Sequence, residues 1–133
     1  GDQLVMEALR LLGSASVDAQ EGCCRILLRM TENVLVWPQE PRFRRVLRTN
    51  TLLASKVFAM PGAEELFSAI GWREGSCCDE LVLPTGMATG PLELTAACLR
   101  WRLAGLAALQ ATELYEGGAS PVAEVSAAVL ESS

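Results

Sequence analysis

The chain has 133 residues, half of them hydrophobic, with sixteen acidic against eleven basic side chains and a formal net charge of −5; that is enough for one filled core and too little for two. The negative balance excludes broad adhesion to nucleic acid or to a membrane surface, both themselves negative, and the lack of any histidine removes Ser-His-Asp and Cys-His catalysis together with the commonest metal ligand. No uncharged apolar run reaches the roughly 18 residues of a membrane span, because Glu93, Arg100 and Arg102 interrupt the best one, and the N-terminus lacks a signal-peptide layout, so a soluble cytoplasmic protein is expected.

Leu4, Val5, Ala8, Leu9 and Leu12 recur at helical spacing and predict a short first helix closed by Gly13, Ser14 and Ser16. A second helix follows with Cys23, Leu27, Met30 and Val34 on one face, reaching to Trp37, until Pro38 stops it. Phe43 to Arg48 reads as a short strand after an extended turn bracketed by Pro38 and Pro41. Asn50 or Thr51 caps a third helix through Leu52, Leu53, Val57 and Phe58, ended by Pro61-Gly62. Ala63, Leu66, Phe67 and Ile70 form a fourth, opened by Glu64 and Glu65 and closed by Gly71.

Trp72 to Glu74 and Glu80 to Leu83 read as two further strands, which with 43–48 make a three-stranded sheet. After a linker over 85–90, Pro91 opens a long helix, 91–116, with Leu92, Leu99, Leu103 and Leu106 on one face. Leu94 and Trp101 lie off that stripe, so the helix is either buried on two sides or offers one side to a partner. Residues 119–133 form a weak helix or tail. The outline is a single α+β domain over 1–133 that is mostly α, a helical domain with a small three-stranded antiparallel sheet.

Catalytic chemistry has little support. Five cysteines, as two adjacent pairs plus Cys98, make a poor disulfide framework, and neighbours on a helix point about 100° apart, which suits neither pair to zinc. Ser55 and Lys56 do not face each other on a helix or strand. The acid pairs Glu64-Glu65 and Asp79-Glu80 read better as helix-start and loop charges than as general acids or bases. The expectation is therefore a protein that is not an enzyme and needs no cofactor or metal.

The order of features from Asn33 to Pro84 resembles the PUB (PUG) domain of peptide:N-glycanase, UBX-type ATPase cofactors and the ligase that makes linear ubiquitin chains. The likeness runs through NVLVWPQEPRFRRVLRTN, MPGAEELFSAIGW and ELVLP. It implies a docking module for the acidic, tyrosine-bearing C-terminal tail of the valosin-containing AAA ATPase, or for a short tyrosine motif of a deubiquitinase or adaptor, in ubiquitin-dependent quality control or signalling. By position, Asn33 and Asn50 stand where the family's two peptide-contacting asparagines stand, Arg44 matches a family arginine, and Gly71 matches the glycine of a Gly-aromatic pair. Phe43 replaces the family's usual tyrosine, and the expected basic residue is Leu47, with Arg48 one step later.

Residues 42–51 hold four arginines in ten positions. On a strand, Arg42, Arg44, Val46 and Arg48 share a face, which makes that face strongly positive and suited to an acidic peptide. Asn33 and Asn50 offer amide donors and acceptors to such a guest, with apolar anchoring from Trp37, Phe43, Phe58 or Trp72. Each also has a plainer reading: Asn50 as a helix cap, Asn33 as a surface residue, the arginines as a solvated face, and the aromatics as core. A different class of function is a scaffold or homodimer formed through the 91–116 helix, with Trp101 and Leu94 outward.

Overall fold

The computed structural model describes residues 2–117; the expected tail at 119–133 lies outside them. Helix α1 (Asp2–Leu12) buries Val5, Ala8, Leu9 and Leu12, one face of a 3.6-residue period, and leaves Leu4 exposed. The chain turns through 13–16, where the Gln20 side-chain amide donates to the carbonyls of Gly13 and Ala15 and so satisfies a turn that is otherwise short of partners. Ser16 caps α2 (Val17–Val36) by accepting from the Ala19 N–H at 3.2 Å. Cys23, Cys24, Leu27, Thr31 and Val34 form the inner face of α2. The helix ends where Trp37 donates its backbone N–H to the Asn33 carbonyl and Pro38 supplies no further donor.

The strand expected at 43–48 is shorter. Residues Pro41–Arg44 form a 3₁₀ turn and the strand β1 occupies Arg45–Leu47. Pro41 presets the turn's φ, the Glu40 carboxylate accepts from the Arg42 N–H at 3.3 Å, and the Phe43 N–H reaches back to the Glu40 carbonyl. These local bonds draw Phe43 and Arg44 into the turn, leaving only the Arg44 carbonyl in the ladder, so the expected alternation of Arg42, Arg44, Val46 and Arg48 along one face does not form.

Asn50 caps α3 (Thr51–Leu53), which widens into a π-helical turn over Ala54–Phe58. Helix α4 (Ala63–Ile70) follows. Strands β2 (Arg73–Glu74) and β3 (Glu80–Val82) are each slightly shorter than expected. The sheet order is β1-β3-β2, antiparallel throughout, with Val46 opposite Leu81 and Glu74 opposite Leu81 on the other side. Pairing extends one bond further where the Leu83 N–H donates to the Arg44 carbonyl.

Helix α5 (Gly90–Gly117) lies chiefly along α2 and buries Leu92, Thr95, Ala96, Leu99 and Leu106. Leu94, off the main stripe, is partly buried against the core, as expected of a helix buried on more than one side. Trp101 does face outward, 84% exposed. The core gathers side chains from α1, α2, α4, β3 and α5 around Val57, Leu66 and Phe67. Phe67 meets Phe58 edge-on at 4.9 Å and stacks with Trp72 at 5.5 Å between centroids. The mostly helical α+β architecture with a three-stranded antiparallel sheet is thus as the sequence indicates.

Gly62 decides how closely α1 approaches α4. It sits at φ 85°, and a Cβ there would meet the Ala8 carbonyl oxygen at 2.3 Å and the Leu11 Cβ at 2.9 Å, backbone and stem atoms that cannot swing aside. Gly62→Ala should lower unfolding stability by about 1–3 kcal/mol, read as a reduced urea midpoint at unchanged m-value; an unchanged midpoint would show that the α1–α4 contact relaxes.

Candidate functional site

Of the residues matched to a peptide site, Asn33 lies in the last turn of α2, half-buried. Its backbone carbonyl caps the helix, and its side-chain amide has no hydrogen-bond partner among the described residues. Asn50 does act as a helix cap: its Oδ1 accepts from the Leu53 N–H at 3.1 Å, while its backbone N–H donates to the Leu47 carbonyl. The Nδ2 end of the same amide is unused among the described residues. One side chain therefore holds a helix start with its oxygen and presents two donors with its nitrogen.

Exposed apolar side chains border both amides. Val36 and Trp37, within four residues of Asn33, are 64% and 60% exposed, and Leu47 and Leu52 flank Asn50 in the exposed class. Helix α2 packs against both the 41–44 turn and the 54–58 segment. Phe43 is half-buried at the core edge, with the Arg42 guanidinium 5.2 Å above its ring. Phe58 and Trp72, also considered as anchors, belong to the aromatic stack in the core.

The arginine run is not a bare positive face. Arg44 donates from Nε to the Pro38 carbonyl at 2.6 Å and from Nη1 to the carbonyls of Leu83 and Pro84 at 3.3 and 3.0 Å, which leaves Nη2 without a partner among the described residues. Arg45 pairs with Glu80, a side chain only 6% exposed. Arg48 forks onto two carboxylates, Glu64 at 2.8 and 3.0 Å and Glu74 at 2.8 and 3.1 Å. It ties α4 to β2, and these hydrogen bonds, Glu64 first, raise its pKa further above the ordinary arginine range.

Arg48 also borders a cavity of about 570 Å³ floored by Phe67, Trp72 and Leu81 and rimmed by Glu7, Glu64, Glu65 and Glu74; the other five site residues do not line it. Gly71 closes α4 at φ 122°, donating to the carbonyls of Phe67 and Ser68, and a Cβ there would strike the Met87 methyl at 2.3 Å. Met87 thus lies over Gly71, a contact across sixteen positions that local patterning does not reveal.

Sequence reasoning also missed the Glu80 hub. Its carboxylate accepts from Arg45 and from the Ser76 N–H at 3.0 Å, closing the β2–β3 turn in which Asp79 takes a positive φ of 66°. An acid heading the apolar strand ELVL is the signal that could have found it, since a buried carboxylate needs a cation and donors. The other acid pair is equally occupied at Glu64.

Cys23 and Cys24 are buried thiols, pushed up to about 12 and about 11 by desolvation. Cys77 and Cys78 are exposed on the turn. No group of three or more potential metal ligands occurs among the described residues, and none of those residues builds a helix long and apolar enough to cross a membrane.

A mostly helical domain that carries its free amides at helix ends, bordered by exposed apolar side chains, belongs to the class of small protein-interaction modules. Residues 18–96 match the PUB domain family, more than half of the chain, and the chain belongs to that family. It is 36% identical over 61 residues to the peptide-N(4)-(N-acetyl-beta-glucosaminyl)asparagine amidase of Drosophila melanogaster. That overlap covers 46% of this chain and 10% of the relative, so the chain spans about a tenth of the length of the curated relative it matches.

Two outcomes test the arginine assignments. The Arg45 hydrogen bond, ahead of the backbone donors, holds the Glu80 carboxyl below the usual carboxylate range against the opposing effect of burial. Its contribution is complete above the unfolded-chain value of about 4.3 and is lost as pH falls through the lower folded value. Glu80→Gln should therefore flatten the acid limb of a stability-versus-pH curve measured by urea unfolding, and an unaltered limb would remove Glu80 from acid sensitivity. Arg44→Met, which strands three carbonyls, should destabilise the domain by about 1–3 kcal/mol in the same assay; a loss under 0.5 kcal/mol, about the scatter of neutral surface changes, would show that the clasp is dispensable.

Proposed function

We propose that this domain docks the acidic, tyrosine-containing C-terminal tail of the valosin-containing AAA ATPase, or a similar short tyrosine motif of a deubiquitinase or adaptor, and links it to ubiquitin-dependent quality control or signalling in the cytosol. Residues 1–133 act as one peptide-binding unit in this reading. The observation that carries it is the pair of amides on Asn33 and Asn50 with unused donors, each beside large apolar side chains left in solvent. Donors that are free and held in place by a helix end suit the carbonyls or terminal carboxylate of an extended guest. Exposed Trp37, Val36, Leu47 and Leu52 supply burial on contact.

The six candidate residues divide by role. Asn33 and Asn50 contact the guest, joined by Phe43 and the spare Nη2 of Arg44. Arg48 and Gly71 position the elements around them, Arg48 by bridging α4 to β2 and Gly71 by ending α4 under Met87. Arg45 and Arg48 are already paired with carboxylates, while Arg44, held only by neutral carbonyls, keeps its charge for an acidic guest. Affinity is set by a few hydrogen bonds and a small apolar patch against the ordering of the peptide, which places it on the order of micromolar.

Asn50→Asp separates cap from recognition, because the aspartate oxygen still accepts from Leu53 while both amide donors vanish and a negative charge faces an acidic guest. In a fluorescence anisotropy titration with a peptide ending in acidic-leucine-tyrosine, Asn33→Ala combined with Asn50→Asp should weaken binding at least tenfold, about 1.4 kcal/mol, with little change in thermal midpoint. Wild-type affinity in the double variant would remove the site.

A further inference from the structure

Arg102, on the face of α5 toward α1, is the charge this fold leaves unanswered. Its Nη1 is fully buried with no hydrogen-bond partner, and it lies 3.5 Å from the position a Cβ would take on Gly13. No carboxylate pairs with it among the described residues. The groups that feel its charge, the thiols of Cys23 and Cys24, are held protonated by burial and supply no counter-ion. A buried donor without a partner is costly, more so when charged, and the side chain carries its positive charge with no carboxylate to offset it among the described residues.

The same arginine lines a cavity of about 450 Å³ between α1 and α5, together with Met6, Arg10, Cys98 and Trp101. Trp101 is 84% and Met6 51% exposed, so an apolar wall stands in solvent next to an unpaired cation. No acid lines the cavity, and the neighbouring Arg10 is already held by Glu7 at 2.5 Å.

We infer that this α1–α5 cavity is a second docking site, sharing no residue with the Asn33–Asn50 site, for a partner segment that carries a carboxylate beside a large apolar side chain. The carboxylate answers the Arg102 charge from the part of that side chain that lines the cavity, and the apolar group covers Trp101 and Met6. Charge selects this occupant over a second copy of the chain. A two-fold contact centred here brings each Arg102 toward the other copy's Arg102 and Arg10, with no acid in the lining to offset the repulsion.

The test is a ¹H–¹⁵N NMR titration of the whole domain, following the Trp101 indole, with an acetyl- and amide-capped hexapeptide of alternating glutamate and leucine and the glutamine-leucine peptide as control. The glutamate peptide should shift the Trp101 indole to saturation and the glutamine peptide should not. Arg102→Met and Trp101→Ala should each weaken binding at least tenfold, while Asn50→Asp leaves it unchanged. Arg102→Met also removes the orphan donor, so its thermal midpoint should equal or exceed wild type, and Trp101→Ala at an exposed position keeps the fold. Equal binding of both peptides, wild-type affinity in Arg102→Met, or no Trp101 shift at millimolar peptide overturns the assignment. So does a sedimenting dimer that Trp101→Ala abolishes and the glutamate peptide does not compete.

Discussion

Three guanidinium groups hold the small sheet together and tie it to the elements around it, and the geometry of the proposed site depends on them. Arg44 gathers the carbonyls that end α2 and follow β3, Arg45 neutralises the buried Glu80, and Arg48 bridges α4 to β2. Strands of two or three residues have too few ladder bonds to stay in place alone. Planar, multiply donating side chains replace the missing ladder with bonds that run between elements. What looks in sequence like a positive surface is therefore mostly internal joinery, and the negative net charge of the chain is not locally inverted there.

That distinction explains which parts were legible in the sequence. The helices follow directly from apolar spacing: Val5, Ala8, Leu9 and Leu12 in α1, or Ala63, Leu66, Phe67 and Ile70 in α4, are the residues that end up buried. Their stops are legible too, because Pro38 and Gly71 act through backbone chemistry that needs no tertiary context. The strand boundary at Phe43 was not, since a three-residue competition between the Glu40 cap and the β1 ladder decides it. Apart from the Pro38 carbonyl, the partners of Arg44, Arg45 and Arg48 lie sixteen to forty positions away, a distance at which composition and periodicity carry no information. Leu94, off the main stripe of α5, is partly buried because a helix buried over a wide arc takes in residues beside that stripe.

Asn50 shows why a plain structural role and a binding role need not compete. The cap uses one oxygen lone pair, and the amide nitrogen points elsewhere with its hydrogens free. Anchoring by the cap removes side-chain freedom in advance, so less ordering remains to be done when a guest arrives. Asn33 lacks such an anchor, and its contribution carries the full entropy of fixing its rotamer. The two asparagines matched by position are thus unequal in preorganisation, and the more rigid half of the proposed site is the one at the start of α3.

The sheet's dimensions limit the manner of recognition. Both edge strands are short, β1 at three residues and β2 at two, and β1 is entered through a 3₁₀ turn rather than an extended run. An incoming strand laid along either border would find main-chain partners for only a residue or two before the path bends away. Sequence preference in this domain must then be written in side chains and not in backbone addition, which allows guests to be read individually while denying the unfolded chains of other proteins a template on which to pile up.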